Sequence, residues 1–220
     1  MRSVLAFTWS LLALVAVAPA RADAPAAAAR SADEVWKALL DGNHQFVAGG
    51  ATCARQSPAR RSELATTQHP IAVVVGCADS RVPPEVVFGQ GLGDLFVIRV
   101  AGNVIDDEVL GSIEYAVERL GVPLVVVLGH ERCGTVEAAL GTEPARGHVE
   151  ALVRRIRAAV ADARKRPGDA IDNAVRDNVA ASVKAVQTSK PVLAPLVQKG
   201  RVKVVGARYD LDSGAVELVP

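Results

Sequence analysis

The sequence predicts an α/β fold in which a mainly parallel β-sheet is flanked by helices. Three short runs, residues 71–75, 95–100 and 123–128, are rich in Val, Leu and Ile, and Arg99 is the one charged residue among them. Runs of this length and composition are typical of strands buried on both faces. Helical patterns alternate with them, which is the arrangement of βαβ crossovers and of a parallel sheet covered by helices.

The remaining elements follow in order along the chain. Ser31 is the candidate N-cap of an amphipathic helix over 31–48, with Asp33 and Glu34 in its first turn. A short helix is expected to start at Pro83 and Pro84. Further helices are predicted over 106–120, 135–140, 149–166 and 170–188. A fourth strand over 201–209, a turn over 210–214 and a C-terminal edge strand over 215–219 complete the fold.

The first 30 residues are predicted to lie outside this fold. Residues 1–22 have a basic start, an apolar stretch and the small-x-small sequence Ala20-Arg21-Ala22, which together are typical of a secretory signal peptide. The apolar stretch is shorter than the roughly 20 residues that a membrane span needs. Residues 23–30 form an Ala-rich flexible leader, and residues 31–220 form a single domain. We therefore expect a periplasmic protein with no membrane attachment after cleavage, while secretion beyond the periplasm stays open.

Composition narrows the classes of partner. The net charge of +1 gives no indication of a nucleic-acid or membrane-surface partner. Cys53 lies in a polar stretch and is expected to be an unpaired thiol. The glycines at 89, 91 and 93 precede a predicted strand, whereas a dinucleotide-binding fingerprint follows a strand and opens a helix. They are therefore expected to serve a turn.

Two clusters of chemically active residues follow predicted strands. Cys77 comes after the first strand, and His130 and Cys133 come after the third. Because ligands bind at the carboxyl ends of parallel strands, both clusters are expected at the same edge of the sheet. Cysteine and histidine are ligand types that zinc prefers, and three protein ligands leave a fourth position open, as in catalytic zinc sites.

Asp79 and Arg81 accompany the first cluster. A carboxylate beside a metal centre can orient a reacting water, and a guanidinium can keep that carboxylate ionised and correctly aimed. Three alternatives stay open at this point. Cys77 and Cys133 could form a disulfide in an exported protein, the zinc could be purely structural with a fourth protein ligand, and Asp79 could simply cap the helix that follows it.

With these clusters in view, the sequence resembles the β-class carbonic anhydrases over nearly the whole mature chain. The segments that carry the resemblance are 40–46, 77–83, 93–99, 101–103, 113–117, 129–134 and 207–214. The resemblance implies that Cys77, His130 and Cys133 bind one Zn²⁺ and that Asp79 and Arg81 form the family's Asp–Arg dyad. In some members the residue matching Asp79 becomes a fourth zinc ligand in a closed, inactive state.

The resemblance also implies a substrate pocket. Gln68 matches a residue that donates a hydrogen bond to bicarbonate, Phe96 and Tyr115 match positions that line an apolar pocket, and Ala101 suits the same pocket. The implied reaction is the reversible hydration of CO2 to bicarbonate and a proton by a zinc-bound hydroxide. The family forms homodimers or dimers of dimers, with the active site near the dimer interface.

Two other functions compete with this one. Hydrolysis of a different small heteroallene, such as carbon disulfide, would use the same scaffold, and the shape of the access tunnel would separate the two. A non-catalytic zinc-binding or bicarbonate-binding module would be expected to lack a ligand or part of the dyad, and this sequence retains both.

Overall fold

The computed structural model describes residues 30–50 and 55–220. In that part of the chain the strands form one sheet in the order β2-β1-β3-β4-β5. The strands are β1 (Ala72–Gly76), β2 (Leu95–Arg99), β3 (Leu124–His130), β4 (Lys203–Tyr209) and β5 (Val216–Val219). All neighbours pair in parallel except β5, which runs antiparallel to β4 at the edge. The predicted fold class and its C-terminal edge strand are confirmed.

The helices cover both faces of this sheet. They are α1 (Ala32–Val47), α2 (Pro58–Leu64), α3 (Pro84–Val87), α4 (Asp107–Arg119), α5 (Gly134–Leu140), α6 (Val149–Arg157), α7 (Ala170–Thr188) and α8 (Leu193–Gln198). Two short 3₁₀ turns lie at Ala101–Asn103 and Ala163–Lys165. Within the described ranges, no helix combines the length and the apolar character needed to cross a membrane.

Several sequence predictions fall on residues outside the description. The signal peptide over 1–22, all but the last residue of the leader over 23–30, and Cys53 lie there. The periplasmic location and the unpaired state of Cys53 therefore stay predictions.

One predicted helix is shorter than expected. The helix expected over 149–166 ends at Arg157, and the chain continues through a bend to the 3₁₀ turn at Ala163–Lys165. In the bend, hydrogen bonds of i→i+3 type replace the α-helical pattern, for example from the Ala163 N–H to the Val160 carbonyl at 3.1 Å. Val160 and Ala163 are nevertheless buried, so the apolar spacing that suggested one long helix is satisfied by two shorter pieces.

The alternation of side chains along β1 divides the core between the two faces. Val74 packs in a cluster with Leu39 of α1, whereas Val73 packs in a second cluster with Ile113 of α4. Every residue of β1 and β3 is buried, as expected for central strands of a parallel sheet. A third apolar cluster lies beyond the carboxyl ends of these strands and includes Cys77 and Cys133.

Two glycines let α7 approach the sheet closely. A Cβ atom at Gly129 of β3 would lie 2.5 Å from a methyl carbon of Val179, and one at Gly206 of β4 would lie 2.7 Å from the other methyl carbon. Both distances are far below van der Waals contact, so only glycine allows α7 to sit where it does.

Buried Asn43 connects three segments of the fold. Its side-chain amide donates to the carbonyls of Val87 at 3.1 Å and Gly214 at 2.8 Å, and its side-chain oxygen accepts from the Val216 N–H at 2.9 Å. The side chain thereby links α1 to the end of α3 and to the turn before β5. Because buried backbone groups are costly to leave without partners, Asn43 is expected to contribute strongly to stability.

We expect Asn43→Ala to lower the free energy of unfolding by about 2–4 kcal/mol, because it leaves buried backbone groups without partners. Urea denaturation followed by circular dichroism measures this change. Gln45→Ala is the matched control, since Gln45 lies on the same helix and is exposed; it should change stability by no more than about 0.5 kcal/mol. Equal effects of the two substitutions would contradict the assigned role.

Candidate active site

The pairing of β1 with β3 places the two sequence clusters side by side. Gly76, the last residue of β1, is in register with Leu128 of β3. Cys77 therefore leaves the sheet next to the end of β3, where His130 is the last residue. The chain proceeds from β1 to β2 on one side, while β3 lies on the other. Such a switch point is where open parallel sheets place their ligand sites.

Three donor atoms converge at this point. The Sγ atoms of Cys77 and Cys133 and a ring nitrogen of His130 all lie within 4.8 Å of one another, and all three residues are buried. The two sulfurs are 4.0 Å apart, close to the separation of about 3.8 Å that two thiolates adopt on one tetrahedral zinc with Zn–S bonds of about 2.3 Å. Both cysteines are free thiols, and a disulfide would need the sulfurs about 2 Å apart. The disulfide alternative is therefore wrong for this structure.

The imidazole of His130 is oriented as a metal ligand. Its Nδ1 lies 2.9 Å from the carbonyl oxygen of Glu131, to which it donates. This hydrogen bond leaves Nε2 as the atom with the lone pair, and Nε2 is buried without a hydrogen-bond partner among the residues that the structure describes. A buried acceptor with no partner is costly unless something else satisfies it. The donor set fits a zinc ion.

The surroundings of the two sulfurs favour a thiolate at Cys77 and a thiol at Cys133. The hydrogen bond from the Cys133 thiol is the largest of the influences that lower the pKa of Cys77 to about 4, and the same contact raises the pKa of Cys133. The backbone N–H groups of Gly102, at 3.2 Å, and Asp79, at 3.4 Å, also donate to the Cys77 sulfur. Negative charge on the Cys77 sulfur is thus stabilised before any cation binds.

Asp79 and Arg81 form a two-point ion pair beside the cluster. The Arg81 guanidinium donates to the two carboxylate oxygens of Asp79 at 2.9 and 2.8 Å, and the Arg81 backbone N–H adds a third bond at 3.0 Å. These bonds hold the pKa of Asp79 well below its usual range, so the carboxylate is ionised. Its Oδ2 lies 3.8 Å from Nε2 of His130. Asp79 is therefore adjacent to the donor cluster but engaged by Arg81, which differs from the closed arrangement in which it would be a fourth ligand.

Three further residues fix the backbone around Cys77 and Asp79 by hydrogen bonds, and the sequence alone predicted no role for them. Arg99, at the end of β2, donates to the backbone carbonyls of Cys77, at 2.9 Å, and Asp79. Gly102 adopts the left-handed region with φ of 72°, which aims its N–H at the Cys77 sulfur. Asn178 of α7 donates to the Gly102 carbonyl at 2.8 Å. Arg99 and Gly102 lie in segments quoted for the family resemblance, but no local pattern identified Asn178.

The predicted substrate residues are divided between two ends of the sheet. Ala101 immediately precedes Gly102 and lies at the donor cluster. Phe96 is in register with Val73, four residues before Cys77, and is therefore about 13 Å from it along the strand. Gln68 lies before β1 begins, and the five strand positions from Ala72 to Cys77 span about 16 Å, so Gln68 lies towards the amino end of the sheet. Within one chain, Gln68 and Phe96 do not reach the cluster.

Gln68 and Tyr115 instead share a cleft at the amino ends of the strands. The cleft has a volume of about 910 Å³ and is lined by residues 64–69, Tyr115 and residues 118–121. Tyr115 is half-exposed, and its ring lies 6.2 Å from that of Phe96. Phe96 belongs to β2, an edge strand whose residues are only partly buried. Gln68, Phe96 and Tyr115, three of the four predicted substrate residues, thus form a surface separate from the donor cluster.

Comparison with known proteins assigns the chain to a family. A family model described as carbonic anhydrase matches residues 72–216. The chain is 45% identical over 188 residues to carbonic anhydrase 2 of Mycobacterium tuberculosis, covering 83% of this chain and 90% of the relative. It is 46% identical over 187 residues to a carbonic anhydrase of Mycolicibacterium smegmatis, covering 83% and 91%.

Solved structures agree with this assignment. The β-carbonic anhydrase CafA of Aspergillus fumigatus superposes with a TM-score of 0.67 at 32% identity, covering 83% of this chain and 89% of that one. Tetrameric β-carbonic anhydrases of Sordaria macrospora share the fold, with a TM-score of 0.69 at 24% identity and coverage of 84% and 97%. The chain belongs to the β-carbonic anhydrase family. Its members catalyse the zinc-dependent hydration of CO2, so the predicted fold, enzyme class and reaction are confirmed.

We expect Arg81→Ala to move the acidic limb of the pH–kcat/KM profile of this carbonic anhydrase to higher pH. The guanidinium favours the ionised form of Asp79, so its removal raises the pKa of that carboxyl, and protonation then begins at a higher pH. Stopped-flow CO2 hydration across pH measures the shift. Lys37→Ala removes an exposed cation from α1 and is the matched control; an unmoved limb in Arg81→Ala would show that the ion pair does not govern activity.

Proposed function

We propose that this carbonic anhydrase hydrates CO2 at a zinc ion held by Cys77, His130 and Cys133. The observation that carries the proposal is the convergence of three buried donor atoms, one of them the unpartnered Nε2 of His130, beside an ion-paired Asp79. When bound, zinc would supply Lewis acidity that lowers the pKa of water towards 7. Three protein donors leave room for substrate and water, as a catalytic site requires.

Asp79 has the geometry of an orienting group. Its carboxylate is ionised, lies 3.8 Å from Nε2 of His130 and is fixed by the Arg81 guanidinium. A carboxylate in this position accepts a hydrogen bond from the attacking water and turns the oxygen lone pair towards the carbon of CO2. Arg81 keeps Asp79 ionised and lies on its exposed side, where it does not obstruct the cluster.

We infer that a second copy of the chain completes the substrate pocket. Gln68, Phe96 and Tyr115 lie at the opposite end of the sheet from the donor cluster in their own chain. Within residues 30–50 and 55–220 of one chain, the edge of β2 and the half-exposed Tyr115 next to it are uncovered, and exposed strand edges are natural surfaces for association. In a homodimer, or in a dimer of dimers, the amide of Gln68 from one copy would donate to bicarbonate oxygens at the other copy's site. The aromatic rings would then provide an apolar surface for CO2, next to Ala101.

We expect the purified protein to contain one zinc per chain and to hydrate CO2 rapidly in stopped-flow assays. Cys77→Ser should lose most of the metal, because a hydroxyl is a poor substitute for a thiolate ligand. Asp79→Ala should keep the metal and lose at least about 10²-fold in kcat, because only the orienting group is removed.

Zinc quantified on the same samples separates the two roles. A full zinc complement in Cys77→Ser would contradict ligation, and near wild-type turnover in metal-loaded Asp79→Ala would contradict the orienting role. Full zinc without CO2 turnover in the unaltered protein, together with turnover of carbon disulfide, would favour the other heteroallene as substrate.

A mixed dimer tests whether two chains share each site. Chains carrying Gln68→Ala and chains carrying Asp79→Ala, each with a different affinity tag, are co-expressed and the heterodimer is purified through both tags. If sites are shared, one site of the heterodimer is intact and the other has both defects, so we expect about half of the wild-type activity per dimer.

The complementary pairing reverses this expectation. A chain with both substitutions paired with an unaltered chain should be nearly inactive if sites are shared, because each site then has one defect. If each site were built from one chain, this pairing would show about half of the wild-type activity. The heterodimer of Gln68→Ala with Asp79→Ala chains would then show only the average of the activities of the two single-variant homodimers.

A further inference from the structure

The loop between His130 and Cys133 has a strained backbone. Arg132 has φ of 51°, in the left-handed region that residues with a side chain rarely adopt. This conformation reverses the chain between the end of β3 and the start of α5. The two donor atoms thereby meet although their residues are only three positions apart.

The side chain of Arg132 is held by the turn that joins β4 to β5. Its guanidinium donates to both carboxylate oxygens of Asp212, at 2.9 and 2.7 Å. The turn is itself well defined, because the Asp210 carboxylate accepts from the backbone N–H groups of Asp212, at 3.1 Å, and Ser213, at 2.9 Å. A two-point pair of this kind fixes direction as well as distance.

Glu131 provides a second connection between the same two segments. Its backbone N–H donates to the Tyr209 carbonyl at 2.9 Å, and its carboxylate accepts from the Leu211 N–H at 3.2 Å. The carbonyl of Glu131 accepts from Nδ1 of His130 at 2.9 Å, so its position sets the plane of the imidazole. The turn over 210–213 is thus connected to the donor cluster through Glu131 and Arg132, the two residues between His130 and Cys133.

We propose that Arg132 is a positioning residue and that its pair with Asp212 sets the affinity of the cluster for zinc. The pair holds Arg132 in the conformation that brings His130 and Cys133 together, so the metal does not have to impose it. Arg132 and Asp212 are half and three-quarters exposed, so the pair should contribute little to the stability of the fold. The inference rests on the proposed zinc site and concerns how tightly that site binds.

The test is the zinc dissociation constant of the full chain, measured by competition with a chromophoric chelator. We expect Asp212→Ala to weaken zinc binding about tenfold, with the thermal midpoint of the metal-free protein nearly unchanged. Arg132→Gly should weaken it to a similar extent, although glycine adopts positive φ without strain. The two substitutions together should be no worse than either alone, because they remove the same interaction.

Two further measurements test whether the Arg132–Asp212 pair acts on the ligand geometry. The difference in zinc affinity between the unaltered protein and Asp212→Ala should become smaller in 1 M salt, because the Debye length is then about 3 Å and the exposed ion pair is screened. The visible spectrum of the cobalt-substituted protein should change in intensity in Asp212→Ala, because it reports the geometry of the ligands. Asp41→Ala, which removes the exposed Lys37–Asp41 pair on α1, is the control and should leave the zinc affinity unchanged.

The possible outcomes distinguish failure of the positioning role of Arg132 from failure of the proposed zinc site. Zinc affinity within twofold of the unaltered protein in both Asp212→Ala and Arg132→Gly would overturn the positioning role. Normal or improved affinity in Arg132→Gly alone would also overturn it, since backbone strain and not the ion pair would then be the controlling factor. Failure of the unaltered chain to bind zinc, or full binding by Cys77→Ser, would instead overturn the proposed site.

Discussion

The parallel pairing of β1 with β3 is the constraint on which the site depends. Both strands are buried along their whole length, so their register is set by side chains that must fit on two faces at once. A slip of one residue would turn Val74 and its neighbours to the wrong face. It would also move Cys77 by one strand residue, about 3.3 Å, relative to His130. The same packing that stabilises the sheet therefore fixes the spacing of the donor atoms.

Electrostatics then determines what this geometry can bind. Burying two sulfurs and an imidazole nitrogen would be unfavourable if their charges and lone pairs were left unsatisfied. N–H groups from Gly102 and Asp79 point at the Cys77 sulfur, and Arg99 fixes the carbonyls on either side of this loop. A divalent cation would complete the set, because it would neutralise the thiolates and bind the lone pair on Nε2 of His130. The fold thus forms a site whose donor atoms and negative charge favour the binding of a metal cation.

Most of the sheet and the donor cluster could be predicted from sequence because both depend on strong local signals. Continuous apolar runs identified β1 and β3, and Cys77 and His130 each follow such a run after a single glycine. The short helices α2 and α8 were missed for physical reasons. α2 buries no residue and so has no apolar periodicity, and α8 contains Pro195, which weakens any helical pattern.

Tertiary contacts without a local signal could not be predicted. The bond from Asn178 to Gly102 spans 76 positions, and the pair of Arg132 with Asp212 spans 80. The substrate residues show the same limit, since the resemblance places Gln68 in the pocket although Gln68 precedes β1 and lies at the far end of the sheet in its own chain. A parallel strand cannot present both of its ends to one point. A site that needs groups from both ends must therefore draw them from two copies of the chain, which makes association a geometric requirement of the proposed mechanism and not an addition to it.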